Sequence, residues 1–378
     1  MTPAHSGTRP VSERHRFDEA AFARWAGAHI DGFRGPVEIR QFEGGQSNPT
    51  YLVEAGSGNY VLRKRPTGTL QASAHQIDRE FRVLRALRGS GVPVPPVHAY
   101  CGDDGVIGAA FYVMDHVPGR IFTDPLLPGV PATDRAAIYD SMNATLARLH
   151  GVDWQQAGLA DFGRPAGYLA RQLALWGRQY QATRTGETPA MDALHEWLIR
   201  QPPPPDVVAV VHGDYRIGNL IIHPVEPRVV AVLDWELATL GHPLADLSFN
   251  CITYHLPAGH AISAGFVGAD RAGLGLPSED EYLAAYARRA GLTTIPDWRY
   301  FLAFSLFRVA AIQLGVYARA RQGNAASATA QLFGASYPLV AEAGLAVAQG
   351  APTGTKAAPG SSPPAPGSGG ETDATTVS

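Results

Sequence analysis

The segment from residue 211 to residue 235 carries oxygen-bearing side chains at spacings that suit phosphoryl transfer. It reads VHGDYRIGNLIIHPVEPRVVAVLDW, which places His212, Asp214 and Asn219 in the pattern H-x-D-x-x-x-x-N, with Asp234 twenty positions after Asp214. Phosphoryl transfer to a hydroxyl needs a carboxylate near the hydroxyl proton. It also needs an amide oxygen and a second carboxylate that hold Mg²⁺ on the nucleotide phosphates. The segment therefore predicts Asp214 as the catalytic carboxylate, and Asn219 and Asp234 as metal ligands.

Two short apolar runs are expected to position these side chains. Residues 207–211 and residues 228–233 (RVVAVL) are rich in valine and suit buried strands, and the proline-containing segment HPVEP between them predicts a turn. Asp234 then falls at a strand end beside the loop that presents Asp214. Mg²⁺ usually takes one or two ligands from protein, a number that Asn219 and Asp234 satisfy. The alternative interpretation is that Asp214 and Asn219 are turn residues bonded to their own backbone.

A second group of candidate residues lies upstream, in EGGQSNPTYLV (43–53) and in the strand YVLRK (60–64). A glycine pair between two strands could bend over phosphates, although it could equally be an ordinary hairpin turn. Alternation along the second strand puts Val61 and Arg63 on one face and Leu62 and Lys64 on the other. If Val61 lines a base pocket, Arg63 is the cation that clamps the nucleotide phosphates; which of the two cations acts stays open. Glu80 on the following helix could orient the clamp, or could be a solvated residue paired with neighbouring arginines.

Composition limits the possible classes of protein. The chain has 378 residues, of which 45% are hydrophobic and 17% charged, and its formal net charge is −3. This length predicts two lobes, and the near-neutral charge argues against nucleic acid as a partner. Two cysteines imply no disulfide framework and favour a reducing compartment. The first residues lack the apolar core of a secretory signal, so we expect a cytoplasmic protein without a membrane partner.

The order of the predicted elements gives an α+β fold. We expect a disordered arm over 1–16, a β-rich lobe over 17–116 that binds nucleotide, a larger helical lobe over 117–349 that carries catalysis and substrate binding, and a disordered tail rich in Pro, Gly and Ser over 350–378. The predicted strands of the first lobe are 37–42, 50–55, 60–64 and 109–115, with one main helix over 73–87 and an extended connector over 92–97. The predicted helices of the second lobe are 133–149, 166–183, 188–200, 243–253, 279–290, 297–322 and 324–348.

The motif HGDYRIGN followed by LDWE resembles the aminoglycoside phosphotransferase superfamily, the small-molecule relatives of protein kinases. The similarity covers about residues 35–345. The longer run from VHGDYRIGN to PLADLSFN, with DREFRVLRAL and FRVAAIQLGVYARARQGNA, is similar to the kinase domains associated with some acyl-CoA dehydrogenases. The resemblance implies a two-lobed protein-kinase-like fold and an enzyme that uses ATP and Mg²⁺. It suggests the hydroxyl of a hydroxyacyl-CoA as the acceptor. The alternatives are an antibiotic kinase of the same fold and a non-catalytic nucleotide-binding protein.

The resemblance also implies roles for individual residues. Asp214 would be the catalytic base or orient the hydroxyl, and Arg216 would lie near the γ-phosphate, where its charge could offset charge developing in the transition state. Asp246, in PLADL, would brace the catalytic loop. Apart from the resemblance, we expect His212 to hold the loop backbone rather than to act as a base. The implied phosphate loop consists of Gly44, Gly45, Gln46, Ser47 and Asn48, and the implied adenine-binding hinge consists of Met114, Asp115, His116 and Val117.

Three departures from related sequences bear on the substrate and the site. The metal-binding motif is Asp234-Trp235-Glu236 rather than D-F-G, and His242 stands where relatives carry Asp. No A-P-E motif is present, which argues against a protein substrate. Arg308 interrupts the apolar run from Phe301 to Tyr317, and we expect it to form a buried ion pair with a structural Asp; the alternative is a contact to substrate or to a CoA phosphate. The arginines of the C-terminal helices favour an anionic substrate over a polycationic aminoglycoside; they are Arg288, Arg289, Arg308, Arg319 and Arg321.

Overall fold

The N-terminal part of the molecule is built on a six-stranded antiparallel sheet. The computed structural model describes residues 7–43, 48–66, 77–184, 186, 188–322 and 328–350. The strands are β1 (Thr8–Pro10), β2 (Val37–Phe42), β3 (Thr50–Ala55), β4 (Gly58–Lys64), β5 (Val97–Cys101) and β6 (Phe111–Asp115), in the order β1-β2-β3-β4-β6-β5. The α-helices described in this part are α1 (Glu19–His29), α2 (Ile77–Leu87) and the short α3 (Asp104–Ile107).

Most predicted elements of this lobe are confirmed. β2, β3 and β4 lie where the sequence predicts strands, and β6 occupies all but the first two residues of the predicted strand 109–115. The predicted helix 73–87 is confirmed from Ile77 onward, and its first residues lie outside the described part. β5 was not predicted, because the prolines that precede it in VPVPPV indicate a connector rather than a strand.

Two expectations for the first lobe are wrong. Residues 8–10 were expected to belong to a disordered arm, but they form β1, which pairs with β2 from Thr8 opposite Phe42 to Pro10 opposite Arg40. An edge strand of this kind is held by backbone hydrogen bonds, which leave little trace in composition. The lobe also has a second long helix, α1, which begins after the N-cap Asp18. Only Phe22 and Ala26 of α1 are buried, so its apolar period is too weak to predict it from sequence.

The two faces of the sheet pack against different cores. Val61 and Met114 belong to a large core that is continuous with the second lobe, whereas Leu62 and Val113 belong to a smaller core against α1. Val61 is opposite Met114 in the β4–β6 register. The predicted alternation along β4 is therefore confirmed, and the face that carries Val61 is the one directed toward the second lobe.

The second lobe is mainly helical. Its helices are α4 (Ala132–His150), α5 (Tyr168–Thr183), α6 (Pro189–Arg200), α7 (Pro243–Cys251), α8 (Arg271–Leu274), α9 (Glu279–Ala290), α10 (Trp298–Gln322) and α11 (Ala328–Gln349). Two antiparallel strand pairs are inserted between α6 and α7: β7 (Ala209–Val211) with β10 (Thr239–Gly241), and β8 (Leu220–Ile222) with β9 (Val229–Val232). The predicted strand–loop–strand unit is thus present, embedded in a helical lobe.

Helix α10 is the central helix of this lobe. It packs against α5, α6, α7 and α11. Its segment Trp298–Arg321 is long and apolar enough to cross a membrane by length and composition, but 78% of its apolar 18-residue stretch is buried inside the protein. The apolar surface of α10 is therefore used to build the core.

Arginines of α2 attach the first lobe to the second. Arg79 Nη2 donates a hydrogen bond to the carbonyl of Phe162 at 2.5 Å, and its guanidinium lies 4.2 Å from the centroid of the Phe162 ring. Arg82 forms an ion pair with Asp161 and donates to the carbonyl of Gly158 at 2.8 Å. The orientation of α2, which carries Glu80, is thereby tied to the helical lobe.

Candidate active site

The loop that follows β7 presents Asp214 and is held by buried polar groups. Asp246, on α7, accepts hydrogen bonds from the backbone N–H of His212 and, at 2.7 Å, from that of Gly213. Burial works to raise the pKa of Asp246, but the hydrogen bond from His150 and the neighbouring His212 lower it below its usual value. Asp246 therefore braces the loop that carries Asp214, as expected.

His212 fixes the same loop from its other side. Its Nε2 lies 2.8 Å from the carbonyl oxygen of Leu233, to which it donates, and its Nδ1 accepts the backbone N–H of Asp214 at 3.2 Å. The ring is fully buried. Both nitrogens are thus used to join the Asp214 loop to the end of β9, as expected for a residue that holds the backbone rather than acts as a base.

The β8–β9 pair brings the two predicted metal ligands to one end of a ladder. Leu220 is opposite Val232, so Asn219 precedes one strand where Asp234 follows the other. The backbone N–H of Leu233 donates to the carbonyl of Asn219 at 2.8 Å. The Asn219 side chain also donates through Nδ2 to Asp214 Oδ2 at 2.8 Å. The same Nδ2 also donates to the backbone carbonyl of Asp214 at 2.8 Å, as the alternative interpretation of turn residues bonded to the local backbone expects.

Asp234 has an unusual backbone conformation. Its φ is 65° and its ψ is 63°, in the left-handed region that non-glycine residues seldom adopt. It directly precedes a 3₁₀ turn over Trp235–Leu237, and the buried Trp235 packs its ring against His212 at 4.8 Å. Strained backbone of this kind persists where surrounding packing dictates it, and it is common at functional sites.

Arg63 connects the two lobes at this point. Its Nε lies 2.7 Å from Glu80 Oε2, and its Nη2 lies 2.8 Å from Asp234 Oδ1. Burial works to lower the pKa of Arg63, but Glu80, Tyr112 and Asp234 together raise it above its usual value. Lys64 instead faces the α1 side, where its Nζ lies 5.4 Å from the centroid of the Phe17 ring. The cation that faces the cleft is therefore Arg63.

Glu80 is held by partners that the sequence did not identify. It is 1% exposed, so the interpretation as a solvated residue is wrong. Asn48 Nδ2 donates to Glu80 Oε1 at 2.8 Å, and the hydroxyl of Tyr112 donates to Oε2 at 3.2 Å. Asn48 was assigned to the phosphate loop, but its side chain is fully buried against Glu80 and serves to position it. Gly44, Gly45, Gln46 and Ser47 lie outside the described residues.

Two backbone N–H groups of the predicted hinge already form hydrogen bonds within the first lobe. The backbone N–H of Asp115 donates to Pro96 O at 2.8 Å, and that of His116 donates to Asn59 O at 3.3 Å. These two N–H groups are therefore not available to form a hydrogen bond with the adenine of a bound nucleotide. The side chains of Val61 and Met114 lie side by side on the cleft face at the start of this segment.

A cavity of about 520 Å³ opens beside Asp214. Asp214 and Arg216 lie at one side of it, and most of the remaining lining is apolar, from the segments around α4, α7 and α10. Arg216 is half exposed, and its Nε lies 3.4 Å from Asp214 Oδ2. A larger cavity, of about 700 Å³, lies between α4 and the loop after α2, but none of the predicted site residues lines it.

Arg308 reaches this cavity from α10, but not as predicted. Among the described residues it forms no ion pair, so the expected pairing with a structural Asp is wrong. Its Nη2 donates to the carbonyl of Gly213 at 2.7 Å, and its guanidinium lies 5.1 Å from the centroid of the Phe249 ring. A backbone carbonyl and aromatic faces replace the carboxylate, and such partners cannot be read from one sequence.

Comparison with known proteins identifies the family. Residues 38–301 match the model of the phosphotransferase enzyme family, which is more than half of the chain. The chain belongs to this family. The expected two-lobed kinase-like fold is confirmed by the solved structures that the chain matches.

Three relatives illustrate the range of similarity. The chain is 45% identical over 339 residues to acyl-CoA dehydrogenase family member 10 of Mus musculus, covering 88% of the chain and 31% of that protein. A solved structure from Ralstonia eutropha, assigned as an aminoglycoside phosphotransferase, is 44% identical with a TM-score of 0.82, covering 89% of this chain and 99% of that one. An aminoglycoside phosphotransferase complexed with ADP and hygromycin B is 16% identical with a TM-score of 0.58, over 87% and 98% of the two chains.

The chain spans less than half the length of the curated relatives that it matches, between 31% and 45% of them. These relatives are named acyl-CoA dehydrogenase family members, which agrees with the narrower resemblance predicted from sequence.

Proposed function

We propose that this phosphotransferase transfers the γ-phosphoryl group of ATP, with Mg²⁺, to a hydroxyl on an acyl compound such as a hydroxyacyl-CoA, in the cytoplasm. The observation that carries the proposal is the position of Asp214, which joins two sets of residues. On one side it is bonded to Asn219, beside the Arg63–Asp234 pair. On the other side it lines a mainly apolar cavity that can receive an acceptor.

Asp214 would bind and orient the acceptor hydroxyl and hold its proton. Its Oδ2 already accepts the Asn219 amide, which fixes the carboxylate in the loop between β7 and β8. Arg216, at 3.4 Å from the same oxygen, would lie near the transferred group and offset negative charge. Because positioning and electrostatics account for most of the acceleration in phosphoryl transfer, these fixed contacts are the relevant ones.

The donor set fits Mg²⁺. Asn219 donates through Nδ2 to Asp214, which leaves its Oδ1 as an oxygen ligand, and Asp234 supplies a carboxylate at the same end of the β8–β9 ladder. The described residues contain no cluster of three or more His, Cys, Asp or Glu suited to a metal. One carboxylate and one amide agree with an ion that takes its other ligands from phosphate and water. When bound, the ion would neutralise charge on the phosphates.

Arg63 would hold the nucleotide phosphates and Glu80 would orient it. The guanidinium offers a planar fork that suits phosphate oxygens. Its present partner, Asp234, belongs to the proposed metal site. The nucleotide phosphates and the metal ion would therefore bind next to each other, beside the Arg63 guanidinium and the Asp234 carboxylate. Val61 would contact the base, and the hinge, in which the N–H groups of Asp115 and His116 are engaged and Met114 is paired within the sheet, would offer the backbone groups of Val117.

A substrate screen tests the proposal. ADP release would be measured with hydroxy acids, their CoA thioesters and aminoglycosides in parallel, with and without Mg²⁺. We expect Mg²⁺-dependent release that is fastest with a hydroxyacyl thioester. Release with aminoglycosides alone would instead support an antibiotic kinase, and release with none, together with tight ATP binding, would support a non-catalytic protein.

A further inference from the structure

The wall of the Asp214 cavity that α10 forms carries two buried polar side chains with unmet hydrogen bonds. Arg308, Val309, Ile312 and Gln313 line the cavity as a stripe on one side of the helix. Arg308 is 7% exposed and Gln313 is 4% exposed. Among the described residues, Arg308 Nε and Gln313 Oε1 have no hydrogen-bond partner. Buried polar atoms without partners are unfavourable, so the guanidinium of Arg308 is left short of acceptors, and a ligand oxygen in the cavity can supply one to the group.

The charge of Arg308 is only partly compensated. Its Nη2 bonds the carbonyl of Gly213, and its guanidinium lies 5.1 Å from the Phe249 ring centroid and 5.6 Å from that of Trp176. Carbonyl and aromatic partners stabilise a cation less than a carboxylate does, and the described residues place no carboxylate in an ion pair with it. An oxygen with negative or partial negative charge would therefore gain more from this site than an uncharged hydroxyl.

The other residues that line the cavity determine whether it suits an apolar chain or a polycation. Besides Asp214, the cavity is lined by two guanidinium groups, those of Arg216 and Arg308, whereas most of the other lining side chains are apolar. An apolar chain fits such walls, and a polycation would meet two like charges against a single carboxylate.

We propose that Arg308 is the specificity-determining residue of this cavity, and that it recognises a carbonyl oxygen, of a carboxylate or a thioester, on an apolar chain. The inference deepens the proposed function and rests on it: Asp214 takes the hydroxyl of the acceptor, and Arg308 takes the carbonyl. Arg308 touches the backbone of Gly213, one residue before Asp214, so recognition of the carbonyl also places the hydroxyl.

Binding of four ten-carbon probes tests this without nucleotide. Isothermal titration calorimetry would compare decanoate, decanoyl-N-acetylcysteamine, decanol and decylammonium on the full chain. We expect decanoate to bind at least tenfold more tightly than decanol, and decylammonium to bind weakest. If decanoyl-N-acetylcysteamine also binds more tightly than decanol, the carbonyl that Arg308 recognises is that of a thioester substrate. If only decanoate binds more tightly than decanol, it is the carboxylate of a free acid.

Variants assign the preference to Arg308. In Arg308→Leu, decanoate should bind less than twofold more tightly than decanol. In Arg308→Lys, part of the wild-type difference between the two probes should remain. Arg299→Leu removes an exposed charge from the same helix outside the cavity and should change nothing. Equal weakening of all four probes in Arg308→Leu would overturn the proposal, because it is what a merely structural role predicts.

A second variant covers the case in which Arg308→Leu does not fold. Gln313→Glu keeps the shape and Arg308 but adds negative charge to the same wall, and it should lower the decanoate preference at least fivefold. An unchanged preference would overturn the proposal. Because these measurements need no turnover, a failure of the ADP-release screen with intact probe selectivity refutes the proposed reaction alone.

Discussion

At the scale of single residues, the geometry of the site depends on which partner each side-chain atom contacts. Asn219 is the clearest case, since its Nδ2 is bonded to Asp214 while its Oδ1 is the atom that would bind the proposed metal ion. Asp234 is the second, since one carboxylate oxygen contacts Arg63 at 2.8 Å and the backbone is held in the left-handed region. These arrangements lead to separate predictions for the base and for the metal ligand.

Replacement of Asp214 by alanine should abolish turnover without preventing nucleotide binding. Loss of a positioned carboxylate at the hydroxyl lowers kcat by about a thousandfold, within the usual range for general acid–base groups. ADP release would give kcat, and calorimetry would give the ATP dissociation constant. Asp280→Ala removes an exposed carboxylate from α9 and serves as the control. Turnover within tenfold of the wild type would refute the role of Asp214.

Replacement of Asp234 by asparagine should weaken the coupling between Mg²⁺ and nucleotide. A neutral amide is a poorer ligand for a hard cation than a carboxylate. It would also free Arg63 from one of its two closest ion pairs. We expect the Mg²⁺ concentration for half-maximal nucleotide binding, followed by calorimetry, to rise at least tenfold while binding without Mg²⁺ is retained. An unchanged Mg²⁺ titration would contradict the ligand assignment.

At the scale of elements, helix ends and strand ends place the functional groups. The β8–β9 ladder sets Asn219 and Asp234 at one end, and α7 begins where its Asp246 can reach the loop before β8. His242 stands at the start of α7, where related sequences carry Asp, and it can take over the capping role of that Asp. Its Nδ1 accepts the backbone N–H of Leu244 at 3.2 Å and so caps the helix, which an Asp at this position would also do.

His242 should make stability depend on pH. Burial lowers its pKa from 6.5 to about 4. As the pH falls from 6.5 to 4, the unfolded chain takes up a proton that the folded protein does not, so folding stability decreases by up to roughly 3 kcal/mol. In His242→Asn this part of the pH dependence should disappear while the cap is kept, because an amide caps the helix but does not titrate. Urea unfolding between pH 4 and 7 would measure it, with exposed His29→Gln as the control. Parallel pH curves for His242→Asn and the wild type would contradict the assignment.

At the scale of the whole molecule, the two lobes are joined by more than the connecting chain. Arg63 on β4 contacts Asp234, and Arg79 and Arg82 on α2 contact residues 158–162 of the helical lobe. These contacts fix α2, and with it Glu80, relative to the site.

Removal of the Arg79 contact should loosen this connection. Arg79→Ala loses the hydrogen bond to Phe162 and the stacking on its ring, so we expect unfolding to become easier by about 1–2 kcal/mol. Amide exchange in α2 should accelerate and ATP affinity should fall severalfold, because Glu80 orients Arg63. Arg85→Ala, an exposed arginine of the same helix, is the matched control. If exchange in α2 and ATP affinity were the same in both variants, α2 would not depend on this contact.

The sequence by itself determined the local part of this protein: most strands and helices, the strand–loop–strand unit, and the placement of Asp214, Asn219 and Asp234. These features follow from periodicity and from short loops, which act over a few residues. It did not predict α1 and β1, whose burial and pairing leave a weak local pattern.

Only the tertiary structure decided which partners the charged residues have. Arg63 meets Glu80 and Asp234, which are 17 and 171 positions away, and Arg308 meets a carbonyl 95 positions away instead of the expected Asp. Such contacts depend on how packed elements face one another, and no spacing along the chain records that. For the same reason, the sequence left open whether Arg308 pairs with an Asp or meets a ligand, and only the fold placed it on the wall of the Asp214 cavity.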